Sequence, residues 1–233
     1  DKAHTTNIGL PPRAQVAPEK GDTPAAVDLA ERAVAGSPRD AGFRALLGNA
    51  YFAAGRFASA EAAYTDSLSL MPNQPQLVLK LALVSNAQGK NGEAMAKLDA
   101  ARDYLDPSDY GLAVALAGQP AIAAAVLEQA ARSVGADSRV RQNLALAYAL
   151  QGEWTMARTV AAQDIPADQV DARMEQWMVF AKPARASDQV AALTGITPAA
   201  QDPAQPFRLA LAPQPQDSRM AAADPAPAAV AEP

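Results

Sequence analysis

Few residues in this sequence are of types and spacings that do chemistry. The single histidine, His4, stands in a Pro-flanked N-terminal stretch, with no nucleophile, base or metal ligand grouped around it. Asp99, Asp103 and Asp106 gather three carboxylates beside a helix end, as a cation site would. No oxygen-rich loop of the calcium type frames them, and a solvated helix terminus accounts for the group. There is no cysteine, which removes disulfides, thiolate metal sites and thiol nucleophiles and is compatible with an oxidising compartment. No catalytic constellation assembles from these parts, so the expectation is a non-enzymatic chain with no cofactor and no metal.

Composition narrows the partners. With 20 Lys and Arg against 25 Asp and Glu, a net charge of −5, the chain lacks the basic footprint that nucleic acid demands. No apolar run approaches the roughly 18–20 residues of a spanning helix, and the best, 110–117, is less than half of that. The 233 residues can bury a substantial core, while 19 prolines and 5% aromatics place that core in the middle and leave the ends sparse. The chain begins at Asp1 rather than Met, which leaves room for a processed signal segment or a lipidated cysteine upstream.

The elements that position these residues follow from a period of about 34 residues with fixed small and large positions, the mark of helix-turn-helix arrays. In the clearest unit, 41–74, Leu47, Gly48 and Tyr51 share a face of a first helix, and Ala60, Tyr64 and Leu68 recur every fourth residue on a second. Gly48 and Ala60 let the two backbones approach, Tyr51 and Tyr64 fill the space beside them, and Gly55 and Pro72 punctuate the ends. The unit 75–108 repeats the pattern with Leu81, Ala82, Gly89, Ala94, Leu98 and Ala101, ending at Pro107. Ala26, Ala30, Ala33 and Pro38 supply only a second helix at the front, because Pro11, Pro12 and Pro18 interrupt the place of its partner. A further unit from 138 carries Leu144, Ala145, Tyr148, Gly152 and Ala157. It is reached through 109–137, about five residues under the period, with the deficit expected in the first helix near Gly118.

Past Pro166, Val170, Met174, Trp177, Met178 and Ala181 form a helical stripe that should cap the last repeat, and a short helix over 185–193 is stopped by Gly195 and Pro198. Trp154 occupies the position of Phe57 and reads as packing rather than as a ligand platform. From Ile196 onward eight prolines fall in 38 residues, which leaves an extended tail. One apolar island interrupts it, PFRLALAP at 206–213, where Phe207, Leu209 and Leu211 alternate so that an extended segment would present one apolar face. This island is expected to dock on the repeat body or on a partner. The organisation is thus an extended N-terminal arm, 1–22; a repeat array, 23–165; capping helices, 166–195; and a Pro/Ala-rich tail, 196–233.

The pattern L-G-x-x-Y followed by spaced Ala, Ala/Tyr and Pro resembles the tetratricopeptide repeat over about 23–164. Arg44 and Val78 stand where that family often has Trp, Ser85 replaces the Tyr and Ser67 an Ala. The resemblance implies an all-α fold, a right-handed superhelical array of antiparallel helix pairs (a tetratricopeptide-like solenoid) with capping helices and extended N- and C-terminal arms. It also implies a concave groove of first helices toward which Asn49, Phe52, Leu79, Leu83, Asn86, Gln142 and Leu146 face. Repeat proteins that clamp a C-terminal carboxylate use two basic residues and Asn. Here Asn49, Lys80 and Arg139 are dispersed over several units, so an apolar partner segment ranks ahead of an acidic tail.

A second likeness covers about 139–211. The run RVRQNLALAYALQGEWTMARTVAAQDIPADQV, followed by DQVAALTGITP and QPFRLAL, is similar to the TadD family, the repeat-containing lipoproteins of Flp/Tad pilus assembly. That resemblance implies a periplasmic, outer-membrane-anchored lipoprotein. It would be a pilotin that grips a segment of the outer-membrane secretin in its groove and by its terminal arms, one copy per secretin subunit. The alternative is a general tetratricopeptide interaction scaffold or chaperone adaptor without a lipid anchor, and the residues upstream of Asp1 separate the two.

Overall fold

A computed structural model describes residues 23–183 and 185–212; the expected N-terminal arm with His4, and the tail from 213, lie outside the described residues. Among the described residues there are eleven α-helices and no strand. A lone helix α1 (Thr23–Gly36) leads into four antiparallel pairs: α2 (Ala41–Ala53) with α3 (Phe57–Leu70), α4 (Pro75–Ala87) with α5 (Asn91–Ala100), α6 (Pro107–Leu116) with α7 (Pro120–Ala131), and α8 (Ser138–Leu150) with α9 (Trp154–Ala161). A closing pair, α10 (Ala167–Ala181) and α11 (Ala186–Thr194), follows the repeats. Consecutive helices pack on one another along the chain, which makes the molecule the tetratricopeptide-like solenoid its periodicity implies.

The four turns inside the pairs are built alike. Gly55, Gly89, Gly118 and Gly152 all take positive φ, between 71° and 81°. At each, the glycine N–H donates to the carbonyl three residues back and the next N–H to the carbonyl five residues back, as in Gly55 to Phe52 and Arg56 to Tyr51. This closes the helix C-terminus and turns the chain in the two residues before the second helix, a geometry that favours glycine. Asp40, Asp106 and Asp137 open α2, α6 and α8 by accepting N–H bonds from the third residue on. Within the pair α2–α3, a Cβ on Gly48 would overlap the Tyr64 ring, so the glycine sets the interhelical distance. Burial raises the Tyr64 hydroxyl pKa.

The missing residues of the short unit divide differently from the expectation. The first helix α6 has 10 residues where α2 and α4 have 13, but α6 also starts 18 residues after Gly89, whereas α4 starts 20 after Gly55. The deficit is shared between α6 and the segment before it, where a single 3-10 turn (Arg102–Tyr104) replaces the last turn of a full second helix.

Polar contacts tie one unit to the next at repeated positions. Tyr51 donates to Glu31 on α1 at 2.7 Å, and Tyr148 donates to Glu128 on α7; burial, then the carboxylate, pushes the Tyr148 hydroxyl up to about 12. Ser85 stands at this position in the middle unit, and its buried hydroxyl has no partner among the described residues. Glu61 is buried between units and accepts from Lys97 at 2.5 Å, Lys90 at 3.0 Å and Gln88 at 2.7 Å. Burial pushes its pKa up, but the three donors together outweigh burial and hold it below the ordinary value. A carboxyl lowered in the folded state stabilises fully above its unfolded pKa of about 4.3, and that contribution is lost as pH falls through the folded value. Urea midpoints between pH 7 and pH 3 should therefore fall less steeply for Glu61→Gln than for the unaltered chain; parallel curves would contradict this.

The closing pair folds back over the repeats. Val170, Met174 and Trp177 are buried, Trp177 completely, as the stripe required. Met178 is the exception at 45% exposed, because it faces an open hollow beside the half-buried Trp154 and the exposed Lys182. Helix α10 packs on α8 and α11 on α4. Gly195, at φ 77°, ends α11 and turns the chain toward the first repeats.

Candidate functional site

The face that reads as a groove in the sequence is covered in the structure. Helix α4 carries large apolar side chains on every side, and Leu79, Leu83 and Asn86 on it are buried. Leu83, Asn86 and Leu146 are brought together around a cavity of about 40 Å³ between α4, α6 and α8, roofed by Phe180, Gln189 and Val190 of the closing pair. Phe52 and Gln142 are not part of this group. Phe52 packs on Phe57, ring centroids 5.8 Å apart, and Gln142 donates to Ala161 carbonyl and Asp164 within its own repeat pair.

Asn49, Lys80 and Arg139 separate into two settings. Asn49 is half-buried and accepts from Tyr64 at 2.9 Å and Lys80 at 2.8 Å, which links α2 to α4. Burial lowers the Lys80 pKa, and Lys80 forms no ion pair among the described residues. Arg139 pairs instead with Asp106 and Asp137 at the head of α8. The three carboxylates considered as a cation site are likewise dispersed: Asp99 accepts from Tyr110, and Asp106 caps α6. No group of three or more His, Cys, Asp or Glu able to hold a metal occurs among the described residues.

Sequence reasoning missed the role of Arg44. Its Nε donates to Pro38 carbonyl at 2.9 Å and its Nη1 to Asp66 at 2.8 Å, so it ties the loop before α2 to the last turns of α3. Arg141 does the same three helix pairs further on, with Ala136 carbonyl at 3.2 Å and Asp164 at 2.7 and 2.5 Å. Arg44, which reads as a departure from a Trp consensus, and Arg141 are therefore one repeated clamp, and their shared spacing to an Asp some 22 residues later was the available signal.

Arg44 differs from Arg141 in one respect: it is fully buried, and its Nη1 also donates to Leu209 carbonyl at 2.5 Å. The cover is the C-terminal segment 196–212, which leaves α11, meets the Gly55 turn and runs back along α2 and α3 to α1. Ala199 N–H donates to Gly55 carbonyl at 3.0 Å. Asp202 accepts from the Ser59 N–H at 3.0 Å, from the Ser59 hydroxyl and from Arg56. Arg56, its guanidinium over the Tyr51 ring at 4.4 Å, also donates to Ala204 carbonyl at 3.0 Å. Arg208 pairs with Glu31 at 3.2 Å, and Arg39 donates to Ala212 carbonyl at 3.1 Å.

The apolar island thus docks, but not as an alternating strand. Residues Phe207–Leu209 form a 3-10 turn in which Leu209 is 2% exposed while Phe207 is 95% exposed, and Leu211 is half-buried. Pro206 starts the turn, and the carbonyl of Leu209 is drawn inward to Arg44 and Gln205.

Glycines separate the strain of the turn from the hold of this arm. A Cβ on Gly55 would press into the carbonyl oxygen of Thr197 and lie 2.7 Å from the nitrogen of Ala199, whereas one on Gly152, in the same turn at φ 79°, meets nothing within 4 Å. Gly152→Ala should cost about 1 kcal/mol for left-handed backbone alone, and Gly55→Ala about 2–3 kcal/mol because the arm must also move. Equal losses in urea unfolding would show that the arm does not bear on this turn.

Residues 19–82 match the model of the tetratricopeptide repeat family. No curated protein and no solved structure matches the chain. The matched segment holds α1 to the first half of α4, and the later pairs repeat its turns and clamps. Fold and match together define a tetratricopeptide-like solenoid, an architecture whose repeats suggest a scaffold for contacts between proteins.

Proposed function

We propose that the chain is a non-enzymatic assembly factor, a pilotin for the secretin of a Flp/Tad-type pilus. The observation that carries the binding role is the docked C-terminal arm. The α2–α3 surface holds an extended polypeptide by its backbone, through Gly55, Arg39, Arg44 and Arg56, as a peptide-binding scaffold does. The choice of partner rests on the likeness of 139–211 to the TadD lipoproteins. No helix among the described residues is long and apolar enough to cross a membrane. In the TadD likeness, a lipid anchor attaches the protein to the outer membrane from the periplasm.

The reading is tested by titrating the purified chain with purified Flp/Tad secretin subunit in a calorimeter. A saturable complex near one chain per subunit is expected. No association would overturn the pilotin role and favour the general scaffold, the reading that the repeat match alone carries. Substituting Leu79 and Leu83 with Asp does not serve this purpose, because both are buried and the change would unfold α4.

A further inference from the structure

The arm fits its surface imperfectly. Ala204 is the only non-glycine among the described residues with positive φ, at 66°, and it sits two residues after the Asp202 anchor. Arg44 is completely buried, yet its Nη2 has no hydrogen-bond partner among the described residues, and the same holds for Gln205 Oε1 beside it. Phe207, the largest side chain of the segment, projects into solvent. Left-handed backbone in a non-glycine residue, an orphaned guanidinium nitrogen and an uncovered aromatic ring all weaken the docked state relative to a better-matched occupant.

What the surface demands of an occupant can be read from its contacts. The carbonyls at positions 204, 209 and 212 and the N–H at 199 are held as backbone, which any sequence supplies. Two side chains carry selectivity: the carboxylate of Asp202 against Ser59 and Arg56 at the start of α3, and the aliphatic side chain of Leu209 seven residues later. Burial pushes the Asp202 pKa up, but its donors outweigh that and hold it below the ordinary carboxylate value.

We propose that the α2–α3 surface is a peptide-docking site for an extended partner segment bearing an acidic residue, a glycine two positions on and an aliphatic residue seven positions on, and that the chain's own arm is its resident, displaceable occupant. This rests only on the chain being a protein-binding scaffold, and not on the partner being a secretin. The glycine is specified because it removes the strain seen at Ala204 while keeping the carbonyl that Arg56 holds. A second copy of the chain is a poorer occupant. Its arm carries the same alanine at 204, and so the same strain.

The test uses a fluorescently labelled synthetic peptide of residues 197–212 carrying Ala204→Gly, titrated by anisotropy against the full chain. Binding to the chain weakened in its arm by Asp202→Ala and Leu209→Asp should be at least about tenfold tighter than to the unaltered chain, whose site is occupied. Ser59→Ala in the weakened chain should lower affinity about tenfold by removing a donor to the acid. The peptide with alanine at 204 should bind about fivefold more weakly than the glycine form. Equal affinity for weakened and unaltered chains, or indifference to Ser59→Ala, would overturn the site. So would a dimer in sedimentation that disperses when peptide is added, since it would show arm exchange instead.

If the doubly substituted chain fails to fold, a spin label at Phe207→Cys in an otherwise unaltered chain replaces it. Saturating glycine peptide should then mobilise the label, and an unchanged spectrum would contradict displacement. Failure of the peptide leaves secretin titration untouched, and failure of secretin binding leaves the peptide result untouched, so the two readings fall separately.

Discussion

Arg44→Met is expected to destabilise the protein by about 3 kcal/mol and to expose the C-terminal arm, because a buried guanidinium with three protein acceptors is lost while Asp66 keeps its charge. Methionine preserves most of the aliphatic volume, so the loss reports polar contacts and not a cavity. Asp66 is 21% exposed and recovers some hydration, which places the figure at the lower end of the roughly 3–5 kcal/mol seen when one member of a buried pair is removed. The internal control is Arg141→Met. That clamp has the same loop carbonyl and Asp partners but holds no arm among the described residues and is 27% exposed, so about 2 kcal/mol is expected there. Chemical denaturation measures both, and amide exchange at Ala199 should quicken for Arg44→Met only. An equal loss at the two arginines, with Ala199 unchanged, would mean that Leu209 carbonyl contributes nothing at Arg44.

Trp177→Ala should cost about 3–5 kcal/mol, the range for emptying the site of a fully buried large aromatic. Its consequences extend beyond α10. Helices α10 and α11 pack on each other, α11 on α4, and the arm leaves the end of α11 two residues before its first contact at Gly55. Loosening the closing pair therefore raises the entropy cost of placing the arm. Calorimetric unfolding should show a lower midpoint, and exchange should quicken in α11 and at Ala199 before it does in α2 and α3. Uniform acceleration through all the pairs would show instead that the closing pair and the repeats unfold as one unit.

The repeats were legible because packing constraints recur there as residue types. Gly48 against Tyr64, and a glycine at each of four turns, leave a period that survives a five-residue deletion. The covered groove was harder to see. On α4, Leu77, Val78, Leu79, Leu81, Leu83 and Val84 surround the helix, so no stripe separates a packed face from an open one. A helix with large apolar side chains on every side is itself the sign of a cover, and α11 supplies it. The arm was half legible. Alternation at Phe207, Leu209 and Leu211 marked the island, but proline at 206 and the inward pull on Leu209 carbonyl make a 3-10 turn, which puts Phe207 and Leu209 on different sides. Arg44, a charged residue at a packing position, reads as a departure until its acceptors are placed, and Arg141 shares with it only the spacing to a later Asp.

The central claim, that the chain's own C-terminal segment lies along α2 and α3, can be measured directly. The sequence has no cysteine, so spin labels at Arg32→Cys and Phe207→Cys report only these positions, both largely exposed. Double electron–electron resonance on the full chain should give one narrow, short distance, since Arg208 is paired with Glu31 beside the first label. A broad distribution spanning the reach of a free tail would contradict the docked arm and, with it, the peptide site proposed beneath it.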